Sequence, residues 1–147
     1  MTELQIVPVS DDAILLDWQR VHNEIIPTAP LSVDDIRERS TRNTLEVAYD
    51  GDVLVGNSTV RPPSEETTAA TVIARVLPAY RKRGFGETIY QRCLAQARSL
   101  SASGVETHIL ASNEDGLRFA AAHGFVEVER YLIPGDTIPF VEMRLDG

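Results

Sequence analysis

Cysteine occurs once in the 147 residues, at Cys93. A single thiol cannot close an intramolecular disulfide, and its place in a helical apolar stripe marks it as a small core residue. No apolar run approaches the ~20 residues that a membrane span needs. The opening M-T-E-L-Q lacks the basic and apolar regions of a signal peptide. The expectation is a protein of the reducing cytoplasm with no membrane partner. The only histidines are His22, His108 and His123, too scattered along the chain to suggest a metal centre, and none is expected. Lysine occurs once, at Lys82, against thirteen arginines, a bias that fits a GC-rich bacterial genome. Repeats, linkers and low-complexity segments are missing as well. The chain therefore reads as a single domain, 1–147, long enough to bury a core without a staple.

The net charge of −8 argues against nucleic-acid binding, which wants a basic face. It suits either recruitment of a cationic substrate or solubility alone. Against that acidic background three of the fourteen cations are consecutive, at Arg81-Lys82-Arg83, followed by Gly84-Phe85-Gly86. Upstream lies an apolar stretch, Ala70 to Leu77, that reads as a strand stopped by Pro78. Downstream, Ile89, Cys93, Ala97 and Leu100 recur at helical spacing. A glycine-containing, cationic loop at a helix N-terminus offers free backbone N–H groups and the positive end of the helix dipole. The chemistry this serves is capture of a phosphate or pyrophosphate. No P-loop is present, because no Lys-Ser/Thr follows the second glycine, and no dinucleotide fingerprint, because position 89 is Ile.

The remaining elements follow from pattern. Leu4 to Val9 is a strand. A helix capped by Ser10 carries the stripe Ile14, Trp18, Val21 and Ile25, and Pro27 and Pro30 end it. Ser32 starts a second helix with Asp35 at the capping-box position, running towards Asn43. Leu45 to Tyr49 and Val53 to Val60 form a hairpin around Asp50-Gly51. Gly104 is expected to close the long helix. Val105 to Ala111 is a strand with Glu106, His108 and Leu110 on one face. Ser112 or Asn113 caps a helix ending at His123-Gly124, and two strands, Phe125 to Ile133 and Ile138 to Leu145, complete the chain. The order β-α-α-β-β-β-α-β-α-β-β predicts an α/β fold with a central mixed, mostly antiparallel sheet flanked by helices.

Arg81-x-x-Gly84-x-Gly86, preceded by Val76, Pro78 and Tyr80, resembles the acyl-CoA pyrophosphate loop of the GNAT superfamily of N-acetyltransferases. Asn113 to Phe125, N-E-D-G-L-R-F-A-A-A-H-G-F, is similar to the family's N-x-x-A-x-x-[LF]-Y-x-x-x-G-F, with Gly116 in place of the alanine. The resemblance covers nearly the whole chain and implies a GNAT-like fold. It implies acetyl-CoA as donor and an amine of a small molecule or peptide as acceptor, with direct attack on the thioester. By the same resemblance the backbone of Ala74, Arg75 and Val76 holds the pantetheine arm. Arg81, Lys82, Arg83, Gly84, Phe85, Gly86 and Glu87 surround the pyrophosphate, and Asn113 bonds the pantetheine from the other side.

Ala120 stands where the family commonly has a tyrosine that protonates the leaving thiolate. The alternatives are a water, another side chain such as the Ser112 hydroxyl, or release of the thiolate without an acid. A protonated amine also needs a base. His108 is the leading candidate, although a lone histidine in a strand is more often structural; Glu65, Glu66, Glu24 and Glu46 are weaker ones. A non-catalytic acyl-CoA-binding module, or one part of a larger assembly, is the rival reading, and a homodimer is compatible with either.

Overall fold

The structure is a computed structural model that describes residues 4–100 and 102–146. Its elements are β1 (Leu4–Pro8), α1 (Asp12–Ile25), α2 (Val33–Ser40), β2 (Thr44–Asp50), β3 (Val53–Arg61), β4 (Ala70–Val76), α3 (Phe85–Arg98), β5 (Gly104–Leu110), α4 (Glu114–Ala122), β6 (Val126–Tyr131) and β7 (Phe140–Asp146). A single 3₁₀ turn, Pro78–Tyr80, joins β4 to the loop before α3. The strands form one sheet in the order β1-β2-β3-β4-β5-β7-β6. Every pairing is antiparallel except β4 with β5. The order and mixed character match the sequence expectation.

The period of two along the strands sends alternate side chains to opposite helical layers. Val72 on β4 and Val105 on β5 pack with Ile89, Tyr90, Cys93, Leu94 and Ala97 of α3. On the other face Leu45, Val47 and Leu77 pack with Leu15, Trp18 and Val21 of α1 and Ile36 of α2. Cys93 is fully buried, and burial pushes its thiol up to about 11, as suits an inert core residue.

Local chemistry corrects several sequence expectations. Asp11, not Ser10, caps α1, accepting from the Ile14 N–H at 2.8 Å. The buried stripe of α1 is Leu15, Trp18, Val21 and His22, rotated from the Ile14-to-Ile25 line. Two polar contacts set that rotation: Trp18 Nε1 donates to the Ser58 carbonyl at 3.1 Å, and Asn57 Nδ2 donates to the Trp18 carbonyl at 3.0 Å. Apolar spacing carries no trace of them. The capping box of Ser32 and Asp35 is present, but α2 stops at Ser40. α3 ends at Arg98 with Ser99 as its cap, so Gly104 opens β5 rather than closing a helix, and Leu100 lies outside the stripe, exposed.

The acids of α1 and α2 are largely spent on local structure. Asp17 accepts from the Tyr49 hydroxyl at 2.6 Å, Arg37 pairs with Asp12 and Asp34, and Arg42 pairs with Glu38. This favours the solubility reading of the net charge over recruitment of a cation.

His22 is stacked on Trp18, with ring centroids 5.4 Å apart, and burial, aided by the charge of Arg75, lowers it from 6.5 to about 4. It is held neutral in the fold and protonates freely once unfolded, so stability falls as pH drops from about 6.5 towards 4. That interval corresponds to about 3 kcal/mol. Urea denaturation of the wild type and a His22→Gln variant should show the wild-type advantage shrinking across this window. Parallel pH profiles would assign the acid sensitivity elsewhere.

Candidate active site

The site begins with a disagreement between neighbouring strands. β4 stays with β3 through Arg75 and Val76, and the Leu77 N–H reaches the Val55 carbonyl at 2.8 Å. β5 stays with β7 from Gly104 to Leu110. Between them β4 and β5 pair only at Ala70↔Val105 and Thr71↔Glu106, and then part. Strand alternation directs the peptide groups of Arg75 and Leu77 towards β3 and those of Ala74 and Val76 towards the gap. Of the three backbone positions expected to meet a ligand, Ala74 and Val76 therefore face it, whereas Arg75 faces β3.

Gly56, which carries no motif, makes the β3 side of this arrangement possible. A Cβ there would lie 2.2 Å from the Arg75 carbonyl oxygen. No side chain is compatible with that approach.

The gap opens into a cavity of about 470 Å³ lined by the last residues of β4, by Thr107 to Leu110 of β5, and by the facing ends of α3 and α4. Its α3 end is the glycine loop. Lys82 (φ 65°) and Gly84 (φ 84°) are both left-handed, alternating with Arg83, and Gly84 is the N-cap of α3 with no side-chain cap. Alternating conformations of this kind turn successive N–H groups inward as an anion nest, reinforced by the dipole of a 14-residue helix. Lys82, Gly84, Gly86 and Glu87 line the cavity. Arg83 and Phe85 do not: the Arg83 guanidinium lies over the Tyr80 ring at 5.7 Å, and Phe85 packs against the core.

Arg81 lines the cavity with its guanidinium already engaged. Its Nε donates to the Val76 carbonyl at 2.9 Å, and an Nη meets Asp115 at 3.2 Å. It ties the end of β4 to the first turn of α4. The Glu87 carboxylate is held by His123 (2.7 Å) and Gln91 (2.8 Å). Burial opposes protonation of His123, but the Phe119 carbonyl and Glu87 outweigh it and raise its pKa.

On α4, Asn113 is the N-cap and its Oδ1 accepts from the Gly116 N–H at 3.0 Å. Its carboxamide sits so close that a Cβ at Gly116 would be 2.7 Å from Nδ2, which explains glycine there. Ala120 is buried in the cavity wall. Ser112 is exposed and lines a smaller cleft beside Glu24 and Arg81, outside the main cavity. Glu46 is no free base, because Arg92 holds it in a bidentate pair at 2.8 and 2.9 Å. Glu65 and Glu66 lie on the exposed loop before β4.

His108 lines the cavity on β5. Its Nδ1 is 2.9 Å from the Tyr131 hydroxyl and its Nε2 is 3.8 Å from Glu106. Glu106, His108 and Glu142 each bring one polar atom within 4.8 Å of the others, a cluster that the dispersed histidines gave no reason to expect. Burial first, then Arg61, lowers the His108 pKa, with Glu142 opposing. The ring is thus a neutral proton acceptor near pH 7. Tyr131 and Glu142 come from β6 and β7, which their sequences do not mark as functional.

The family model for the GNAT acetyltransferases matches residues 12–125. The chain belongs to the GNAT acetyltransferase family. Among solved structures, Arabidopsis thaliana NAA60 in complex with a bisubstrate analogue superposes with a TM-score of 0.78 at 19% identity, covering 98% of each chain. The same protein with acetyl-CoA gives 0.77 at 18% identity, covering 98% of each. A ribosomal-protein-alanine N-acetyltransferase from Brucella melitensis gives 0.75 at 17%, covering 97% of this chain and 99% of its own. No curated protein sequence matches the chain.

In this GNAT protein the close approach at Gly56 generates a direct prediction. Gly56→Ala forces backbone apart at the strand that edges the cavity, and overpacking of this kind costs about 1–3 kcal/mol. The urea midpoint should fall accordingly; an unchanged midpoint would mean that β3 and β4 separate without cost.

Proposed function

We propose that the chain is an N-acetyltransferase carrying an acetyl group from acetyl-CoA to an amine of a small molecule or peptide. The observation that carries this reading is the meeting of the β4–β5 gap and the Lys82–Gly84 amide nest in one cavity. The residues fit the donor. The nest has the N–H density that a pyrophosphate needs, the walls are apolar enough for a pantetheine, and Asn113 offers a carboxamide N–H from α4. Acetyl-CoA supplies an acyl group activated as a thioester when bound.

The protein's own groups do the rest. The Ala74 peptide group and the Val76 N–H, left without a strand partner, orient the acyl arm; the Val76 carbonyl is held by Arg81. Lys82 and Gly84 to Gly86 hold phosphate oxygens through backbone N–H groups, with Arg83 adding charge from outside. His108 takes the proton of the incoming ammonium; in the tautomer with hydrogen on Nδ1, Tyr131 accepts it and Nε2 is free as the base. Ala120 leaves the leaving sulfur without a phenol. A coenzyme thiol with a pKa near that of cysteine, ~8.5, departs tolerably as a thiolate. The lone buried Cys93 suits work in the cytoplasm, and among the described residues no helix is long and apolar enough to cross a membrane.

Ala120 is also the one feature favouring a module that binds acyl-CoA without turnover. Release of free thiol on mixing acetyl-CoA with amines separates the two: release supports the transferase, and tight binding without release supports the module. Binding itself is tested at the nest. A Cβ at Gly84 meets nothing within 4 Å, and one at Gly86 meets only ordinary contacts at 3.6 Å. Gly86→Asp should therefore fold, and its carboxylate should abolish acetyl-CoA binding in calorimetric titration. Unchanged affinity would move the phosphate site elsewhere.

The base has its own signature. Because His108 titrates below the ordinary histidine range, the acidic limb of kcat/KM should fall below pH 6.5. His108→Gln should lose that limb and about 10²-fold or more in kcat while acetyl-CoA affinity stays the same. An unaltered pH profile would return His108 to a structural role.

A further inference from the structure

Three arginines on the α1/α2 face have no carboxylate partner, although the chain is acidic overall. Arg61 on β3 lies opposite Thr71, and Arg75 on β4 lies opposite Asn57. Opposed residues share a face, so Arg61, Thr71, Ile73 and Arg75 all project to the side of α1, away from α3. The Arg75 guanidinium confirms the direction, standing 6.0 Å over the buried ring of Trp18. Arg39 on α2 is near enough to both to lower their pKa values.

Of the other arginines, Arg20, Arg83 and Arg98 also lack an acid within reach among the described residues but are exposed. Arg37, Arg42, Arg81, Arg92, Arg118 and Arg130 all pair with acids. Among the described residues none lies within 4.0 Å of Arg39, Arg61 or Arg75. Arg75 Nη1 is shielded from solvent and has no hydrogen-bond partner. Burial, then Arg61 and Arg39, pulls its pKa down to about 9. A buried, unpaired guanidinium beside two like charges costs free energy. An incoming anion would offset that cost.

The place of Arg75 decides which anion. Arg75 lines the same cavity as His108. Arg61 affects the titration of His108, and Glu106 affects that of Arg61. Donor phosphates have their own nest at the N-terminus of α3, whose side of the sheet is that of Val72, not that of Arg75. The α1/α2 side thus carries two charged zones: Arg61 and Arg75 on β3 and β4, and the Glu106–His108–Glu142 cluster on β5 and β7. One sign faces each end of whatever lies between.

We infer that the acceptor is a small zwitterion, a free amino acid or close analogue, whose carboxylate binds Arg75 and Arg61 while its amine faces His108. This rests on the transferase reading above and narrows its acceptor. Planar guanidinium forks match a carboxylate in geometry as well as charge. Glu106 and Glu142 stabilise the ammonium until His108 removes its proton. A polyamine would bring positive charge to arginines that already repel one another, which disfavours that class.

The test compares free amino acids with their amides, which keep the amine and lose the negative charge, and with spermidine. Wild-type kcat/KM should favour the best amino acid over its amide by about 10²-fold or more, since desolvated polar groups left unpaired discriminate strongly. In Arg61→Gln and, separately, Arg75→Gln the ratio should fall towards one, mainly through KM of the acid. The guanidinium over Trp18 is that of Arg75, so the Arg61 variant keeps the test open should Arg75→Gln fail to fold. Amides or spermidine used as well as the acids by wild type, or a ratio that survives both substitutions, would overturn the inference. If no amine releases thiol, the transferase reading fails by itself. Calorimetric titration of amino acids into the CoA-loaded protein then decides the anion contact: binding lost in Arg61→Gln supports it, and no binding to wild type overturns it.

Discussion

The constraint on which the rest depends is the separate loyalty of β4 and β5 to their antiparallel partners. β3 holds β4 out to Leu77, and β7 holds β5 out to Leu110, so the parallel pairing between them yields after two residue pairs. The sheet's twist then carries the two strand ends apart. Parting leaves the Ala74 peptide group and the Val76 N–H without a ladder partner, while Arg81 takes the Val76 carbonyl, and peptide groups shielded from water do not stay unpaired cheaply. A ligand with amides of its own is the natural third strand. Gly56 underlies this geometry, because any larger residue would push β4 away from β3 where β4 edges the gap.

Around the gap the helices are braced before any ligand arrives. Arg81 links the Val76 carbonyl to Asp115 at the start of α4, and the Glu87–His123 contact links the first turn of α3 to the end of α4. These two ties fix the spacing of the walls, which spares binding the cost of ordering them. They also divide the cationic loop by role. Arg81 is structural, Lys82 and Gly84 shape the nest through their backbone, and Arg83 stays outside on Tyr80.

The two faces of the sheet carry different chemistry for a simple reason. Side chains alternate along β4, so Val72 serves the α3 layer while Ile73 and Arg75 serve the α1 layer. One strand therefore edges the gap with its backbone and presents a charged side chain to the α1 side. The opposing charges around Arg75 and His108 make the α1 side polar in a directional sense, which an overall charge of −8 conceals.

The order of elements, the Asp50-Gly51 hairpin, the Ser32–Asp35 capping box and the glycine loop were all legible in the chain, because each depends on neighbours within a few residues. The loop was the most informative, since left-handed backbone and a helix N-terminus leave their mark as Gly84 and as a shift in periodicity. The rotation of α1 was not legible: it depends on hydrogen bonds between Trp18 and residues about forty positions away. Nor was the need for glycine at position 56, which exists only where two strands meet. The setting of His108 likewise required β6 and β7 to bring Tyr131 and Glu142 beside it, and the unpaired state of Arg61 and Arg75 appears only once every acid has its place. Local sequence determined the elements and the left-handed glycine loop at the start of α3. Tertiary structure alone decided which charges stay unpaired, because pairing is a matter of distance between residues that the chain keeps far apart.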